Sequence, residues 1–225
     1  MPQHLADSEL KEALAQPGCP LCRLAREAVG RFLAHLLYEN VNDPGVRSEL
    51  TLARGFCNLH AWQLEEEGDA LGTAILYRNI LGALVELLER CLQRSKRLRQ
   101  SRRVGALRTI LQPQRPCPAC RARENAEAVY IHALVSQLDD PEVRDGFLRA
   151  GGLCLPHLQR TLEVARPEQA GELLALQREA WTQLLEQLGE FIRKQDYRFR
   201  EEGLGAEGDS WIRALAQVSG QPGVW

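Results

Sequence analysis

The stretch CPLCRLAREAVGRFLAHLLYENVNDPGVRSELTLARGFCNLH, residues 19–60, decides how this chain is read, because it occurs twice. Its second copy is CPACRARENAEAVYIHALVSQLDDPEVRDGFLRAGGLCLPH, residues 117–157. With one gap near Val41 the two align end to end, and a repeat of this length points to a duplicated structural unit. Identical pairs include Pro20 and Pro118, Asp43 and Asp140, Pro44 and Pro141, and Gly55 and Gly152. Each copy opens on C-x2-C and closes on C-x2-H, with 34 residues between the pairs in the first and 33 in the second.

Working outward, the signals are helical. Leu24, Ala28, Phe32 and Leu36 recur every four residues, an amphipathic stripe. Asp43 before Pro44 reads as an N-cap followed by proline at the first helical position, and Gly55 as the stop. A long helix should start at Asp69 and carry Leu71, Ile75, Leu81, Leu84, Leu87, Leu88 and Cys91. Its counterpart should run from Glu168 to Arg200 with Leu174, Trp181, Leu185, Leu188 and Ile192. Asp7 and Ser8 read as caps of a first short helix, and Asp209 or Ser210 as the cap of the last. Alternating strand patterns are absent. The expected fold is all-α, a duplicated helical bundle with pseudo-twofold symmetry and one Cys3His site per half. The two long helices should pack together as the main core. The expected divisions are residues 1–95, a basic linker at 96–116, and residues 117–225.

The chemistry sits in the repeated pairs. A C-x2-C turn aims two sulfurs at one point, and a C-x2-H pair projects both side chains from the first turn of a helix. Three thiolates and one imidazole form a closed donor set suited to structural tetrahedral zinc. The expected ligands are therefore Cys19, Cys22, Cys57 and His60 in one half, and Cys117, Cys120, Cys154 and His157 in the other. Burial of small thiols in the core would not explain why all four positions persist in both copies while most others diverged. Two zinc ions are the expected cofactor. An iron–sulfur cluster is the competitor, since histidine can replace a cysteine there, and a thiol redox switch stands third. Four protein ligands leave no open coordination position, and no H-E-x-x-H, G-x-S-x-G or phosphate-binding glycine loop occurs, so the reading leans away from an enzyme.

Composition narrows the setting. The chain has 225 residues, 44% hydrophobic and 26% charged, with a formal net charge of -2. Charge is unevenly placed: between Arg90 and Arg123 there are eleven Lys or Arg and no Asp or Glu. Arg94, Lys96, Arg97, Arg99, Arg102 and Arg103 are the candidate contacts to nucleic acid phosphates. A linker paired with the acidic remainder of the chain is favoured over that, because no aromatic residues are interleaved for base stacking. A protein partner is the leading expectation. His35 and His132 could support the ligands from behind or serve as extra ligands, with a core or boundary position favoured; Cys91, Trp62, Tyr77, Trp181 and Phe191 read as core. The N-terminus lacks a basic segment followed by an apolar one, and no uninterrupted apolar run reaches the roughly 18 residues of a membrane span, so the expected compartment is the cytoplasm. Seven cysteines there need a use other than disulfides.

The residues CPLC from Cys19, YENVNDPGVR from Tyr38, GFCNLHAW from Gly55 and GDALGTAILY from Gly68 carry a resemblance to a functionally uncharacterised bacterial family, as do CPAC…GLCLPH and the terminal DSWIRAL. The resemblance covers most of the chain. It implies a helical protein with duplicated CPxC and GxCxxH pairs, and no particular activity.

Overall fold

Proline stands at the first position of five helices, beginning at Pro20, Pro44, Pro118, Pro141 and Pro167, and an aspartate precedes it at Pro44 and Pro141. In this computed structural model, which describes residues 3–95 and 108–225, the elements in chain order are α1 (Gln3–Leu14), α2 (Pro20–His35) continued by a π-turn (Leu36–Asn40), α3 (Pro44–Ala53), α4 (Asn58–Glu66) and α5 (Ala70–Ser95). Then come α6 (Pro118–Ser136), α7 (Pro141–Ala150), α8 (Leu155–Val164), α9 (Pro167–Lys194), a 3-10 turn (Tyr197–Glu202) and α10 (Ser210–Ser219). No strand occurs among the described residues, and the protein is all-α. Helices α2 to α5 and α6 to α9 follow the same order with similar lengths.

The caps explain the boundaries. Asp43 accepts from the Val46 N–H at 2.8 Å, and Asp140 from the Glu142 N–H at 2.9 Å, so each satisfies an amide that its helix leaves without a partner. Asp69 does the same for Gly72 at the start of α5. The stop of α3 comes one residue earlier than Gly55. Arg54 already has φ 61, and Gly55 follows at φ 92. The second copy uses Gly151 and Gly152 for the same double left-handed turn. A non-glycine residue there is strained. Arg54 is held by its guanidinium, which donates to the Thr51 and Ile110 carbonyls. At the N-terminus Asp7 and Ser8 lie inside α1 rather than capping it, because the helix begins upstream of them.

The chain divides into two compact units, one of Met1–Glu27 with Asn125–Trp225 and the other Ala28–Glu124. This differs from the expected cuts at 95 and 117. Each cut instead falls inside a helix that follows a C-x2-C pair, α2 and α6. In the first unit, Leu10 and Leu14 of α1, Leu21 and Leu24 of α2, Leu134 of α6, Phe147 of α7 and Leu173 of α9 share one core. Gly146 lets α1 approach α7, since a Cβ there would stand 3.0 Å from Leu14 Cβ. Lys11 ties the same pair, 2.9 Å from Asp140 and 2.6 Å from Glu142, and its pKa is pushed up to about 12 by its hydrogen bonds to Glu142 and Asp140. In the second unit, Val29 and Leu33 of α2, Leu50 of α3, Leu64 of α4, and Leu76 and Ile80 of α5 form a separate core.

The two long helices therefore serve different cores, α9 the first and α5 the second, contrary to the expected common one. Their buried faces also differ from those read off the spacing. Leu71, Leu81 and Leu88 of α5 and Leu174, Leu185 and Ile192 of α9 are exposed, while Leu76 and Ile80, and Leu173 and Leu176, are buried. Both helices are apolar on more than one side, so periodicity does not single out the packed face. By length and composition alone α5 could cross a membrane over Ala70–Gln93 (mean hydropathy 1.4); Leu76, Ile80 and Cys91 are buried, but only 17% of the apolar stretch is. Core helices of water-soluble proteins meet the same criterion.

Candidate metal centres

Four helix starts supply the donors. Cys19 and Cys22 lie at the start of α2, Cys57 and His60 at α4, Cys117 and Cys120 at α6, and Cys154 and His157 at α8. Cys57 and Cys154 occupy the N-cap positions of α4 and α8 without making a side-chain cap, so their sulfurs are not engaged by the helix amides. The double left-handed turns at 54–55 and 151–152 aim the chain into these caps.

All eight residues are brought into two groups of four, with the donor atoms of each group within 4.8 Å of one another. The partners are exchanged relative to the expected sets. The first centre is Cys19, Cys22, Cys154 and His157; the second is Cys57, His60, Cys117 and Cys120. Each thus joins the C-x2-C of one copy to the C-x2-H of the other. All four ligands of the first centre belong to the unit containing both termini, and all four of the second to Ala28–Glu124. Spacing could not distinguish the pairings, because either gives three cysteines and one histidine.

The geometry suits a small tetrahedral cation. In the first centre His157 Nδ1 is 3.5, 3.3 and 3.2 Å from the sulfurs of Cys19, Cys22 and Cys154, and Cys22 Sγ is 3.5 Å from Cys154 Sγ. In the second, His60 Nδ1 is 3.1, 3.6 and 3.3 Å from Cys57, Cys117 and Cys120, and Cys57 Sγ is 3.7 Å from Cys120 Sγ. Donors at zinc–sulfur and zinc–nitrogen bond lengths around one centre stand about 3.5–3.8 Å apart, close to these edges.

Electrostatics point the same way. In the first centre, burial opposes ionisation of Cys19, but hydrogen bonds from Cys154, Cys22 and His157 outweigh it and hold its pKa well below the usual thiol value. Cys22 is pushed far up by its contacts to Cys154 and Cys19 and by burial. His157 rises to about 11; burial works against its charge, and hydrogen bonds to Cys154, Cys19 and Glu127 prevail. In the second centre burial, then the charge of Cys117, pushes Cys120 up to about 12, while burial and then Arg123 lower His60. Sulfurs this close cannot all ionise unless positive charge lies among them, which a divalent cation would supply.

The surroundings of the two centres differ. The first is fully buried, whereas Cys57, Cys117 and Cys120 are partly exposed. His157 Nε2 lies 3.5 Å from Oε1 of Glu127, itself buried, and Arg160 pairs with the other carboxylate oxygen. Trp225 packs against His157 with ring centroids 5.1 Å apart, and the Arg160 guanidinium lies 4.5 Å over its indole. The Gln221 N–H points at Cys22 Sγ from 3.5 Å. Spacing motifs could not reveal Glu127 or Trp225, which lie far from His157 in sequence, nor Arg160, one turn on from His157, because Gln63 stands at its place in the first copy. His35 and His132 are exposed instead, paired with Glu39 and Ser136. Trp62, expected in the core, is 64% exposed; Cys91 is buried as expected. The side chain of Arg94 and the residues Lys96, Arg97, Arg99, Arg102 and Arg103 lie outside the described residues.

Fold and site define an all-helical protein with two Cys3His groups able to hold metal ions. The chain belongs to the family described as a family of unknown function (DUF6062), which it matches over residues 1–223. It is also 28% identical over 194 residues to an uncharacterised 23.9 kDa protein encoded in the xynA 3' region of Caldicellulosiruptor sp. (strain Rt8B.4), covering 83% of this chain and 87% of that one. A relative in that bacterium fits the bacterial family that the motifs suggested. No solved structure matches the chain significantly.

Proposed function

We propose that this is a non-enzymatic, zinc-stabilised helical protein that acts as an interaction or regulatory module in the cytoplasm. The observation that carries the reading is the sorting of eight scattered donors into two closed groups of four. Structural zinc uses four protein ligands, whereas catalytic zinc keeps a position for water or substrate. The donors of each group come from distant parts of the chain, so ion binding would contribute directly to folding free energy. A protein partner is supported by α10, where Trp211, Ile212, Leu215 and Val218 form an exposed apolar stripe with helical spacing.

Metal analysis with a visible spectrum, on protein purified without oxygen, tests the reading. Two zinc per chain and no absorbance above about 350 nm is the expected result for closed zinc sites. Removing the ions with a chelator should abolish the cooperative unfolding transition. Iron with sulfide and broad visible absorbance would replace this reading with an electron-transfer or sensing one.

A further inference from the structure

We propose that the second centre, Cys57, His60, Cys117 and Cys120, is an exchange site that takes up and releases a thiophilic cation such as zinc, while the first centre retains its ion. The inference rests on the zinc reading above and adds a division of labour that two like ligand sets do not imply.

The first centre is closed by three separate devices. Its four ligands are buried, with His157 and Cys154 wholly so. Glu127 and Arg160 form a buried carboxylate arrangement behind His157 Nε2. Such a partner fixes the imidazole and strengthens it as a ligand, and its loss typically costs about 10–100-fold in metal affinity. The segment after α10 supplies the third. Gly220 turns at φ 86, and its hydrogen-side face is so close to the Trp225 indole that a Cβ would stand 2.2 Å from Nε1. Gln221 then meets Cys22, Val224 enters the core, and Trp225 covers His157.

The second centre has none of these. At the repeat positions of Glu127 and Arg160 stand Val29 and Gln63, which cannot form that carboxylate–guanidinium pair. His60 is buried, and among the described residues no carboxylate pairs with its Nε2, whereas Glu127 lies 3.5 Å from His157 Nε2. Three sulfurs are partly exposed. Ligand exchange at a thiolate-bound cation needs an incoming donor to reach the ion or its sulfurs. An incoming thiol or chelator can therefore approach this centre and not the other.

The test uses the full chain loaded with two zinc ions and an excess of the chromogenic chelator 4-(2-pyridylazo)resorcinol. Release should occur in two phases of one equivalent each, the second at least ~10-fold slower. Brief treatment with N-ethylmaleimide followed by peptide mass spectrometry should label Cys57, Cys117 and Cys120 ahead of Cys19, Cys22 and Cys154. Trp225→Ala replaces no ligand; it should speed the slow phase and leave the fast one unchanged. Release of both equivalents at one rate, or earlier labelling of Cys19, Cys22 and Cys154, overturns the inference and leaves the zinc reading standing. A protein that binds no zinc overturns both.

Discussion

Each ligand histidine turns Nδ1 toward its sulfurs, which leaves Nε2 to find a partner elsewhere, and the two copies solve this differently. Glu127 stands behind His157, while His60 has no such carboxylate. The eight donors were legible because both copies keep them at matching spacing; Glu127, Arg160 and Trp225 were not, because nothing repeats them. Glycine is required where the turn meets the core. Gly152 has φ 80, and a Cβ there would stand 2.6 Å from Gln177 Nε2, whose amide oxygen accepts from the Leu153 N–H. Gly152→Ala should therefore lower the unfolding free energy measured in a denaturant titration, by ~1–2 kcal/mol from the backbone alone. A charge prediction belongs here too. The carboxyl of Glu207 is lowered to about 2 by the Gly205 N–H and then by Lys194, which lies 2.8 Å away. Its folded value lies below the ordinary 4.5, so the stabilisation is present above about pH 5 and is lost as pH falls toward about 2. Urea titrations of the wild type and Glu207→Gln should differ near neutrality and converge toward pH 2.

At the scale of the element, capping aspartates and Pro-first helices were readable, and the repeated helix starts followed from them. The packed faces were not. Leucines of α5 and α9 lie on more than one side of each helix, and only the partner helix decides which side is covered. Leu173→Ala, in the core of the first unit, should cost ~2–5 kcal/mol in a denaturant titration. Leu185→Ala on the same helix, at 68% exposure, should stay within about 0.5 kcal/mol. Equal losses would mean that the exposed side of α9 is covered in solution. Trp62 gives the same lesson, since an aromatic at a helical position is exposed when its helix packs through Leu64 instead.

For the whole molecule, all-helical architecture was legible and the pairing of its half-sites was not, because either pairing gives the same ligand chemistry. Pairwise substitution distinguishes them. Cys22→Ser with Cys154→Ser removes two ligands from one centre and should lose one zinc per chain, whereas Cys22→Ser with Cys57→Ser damages both and should lose two. The opposite result would restore pairing within each repeat. The exchanged pairing also makes the centres nested along the chain, with residues 57–120 enclosed between Cys22 and Cys154. Translation therefore completes the inner donor set at Cys120 and the outer one only at His157, about 2–7 s later at ordinary synthesis rates. Through that interval Cys19 and Cys22 wait for partners the ribosome has not yet made. A newborn chain short of zinc meets the shortage first in its middle, before its two ends can be joined.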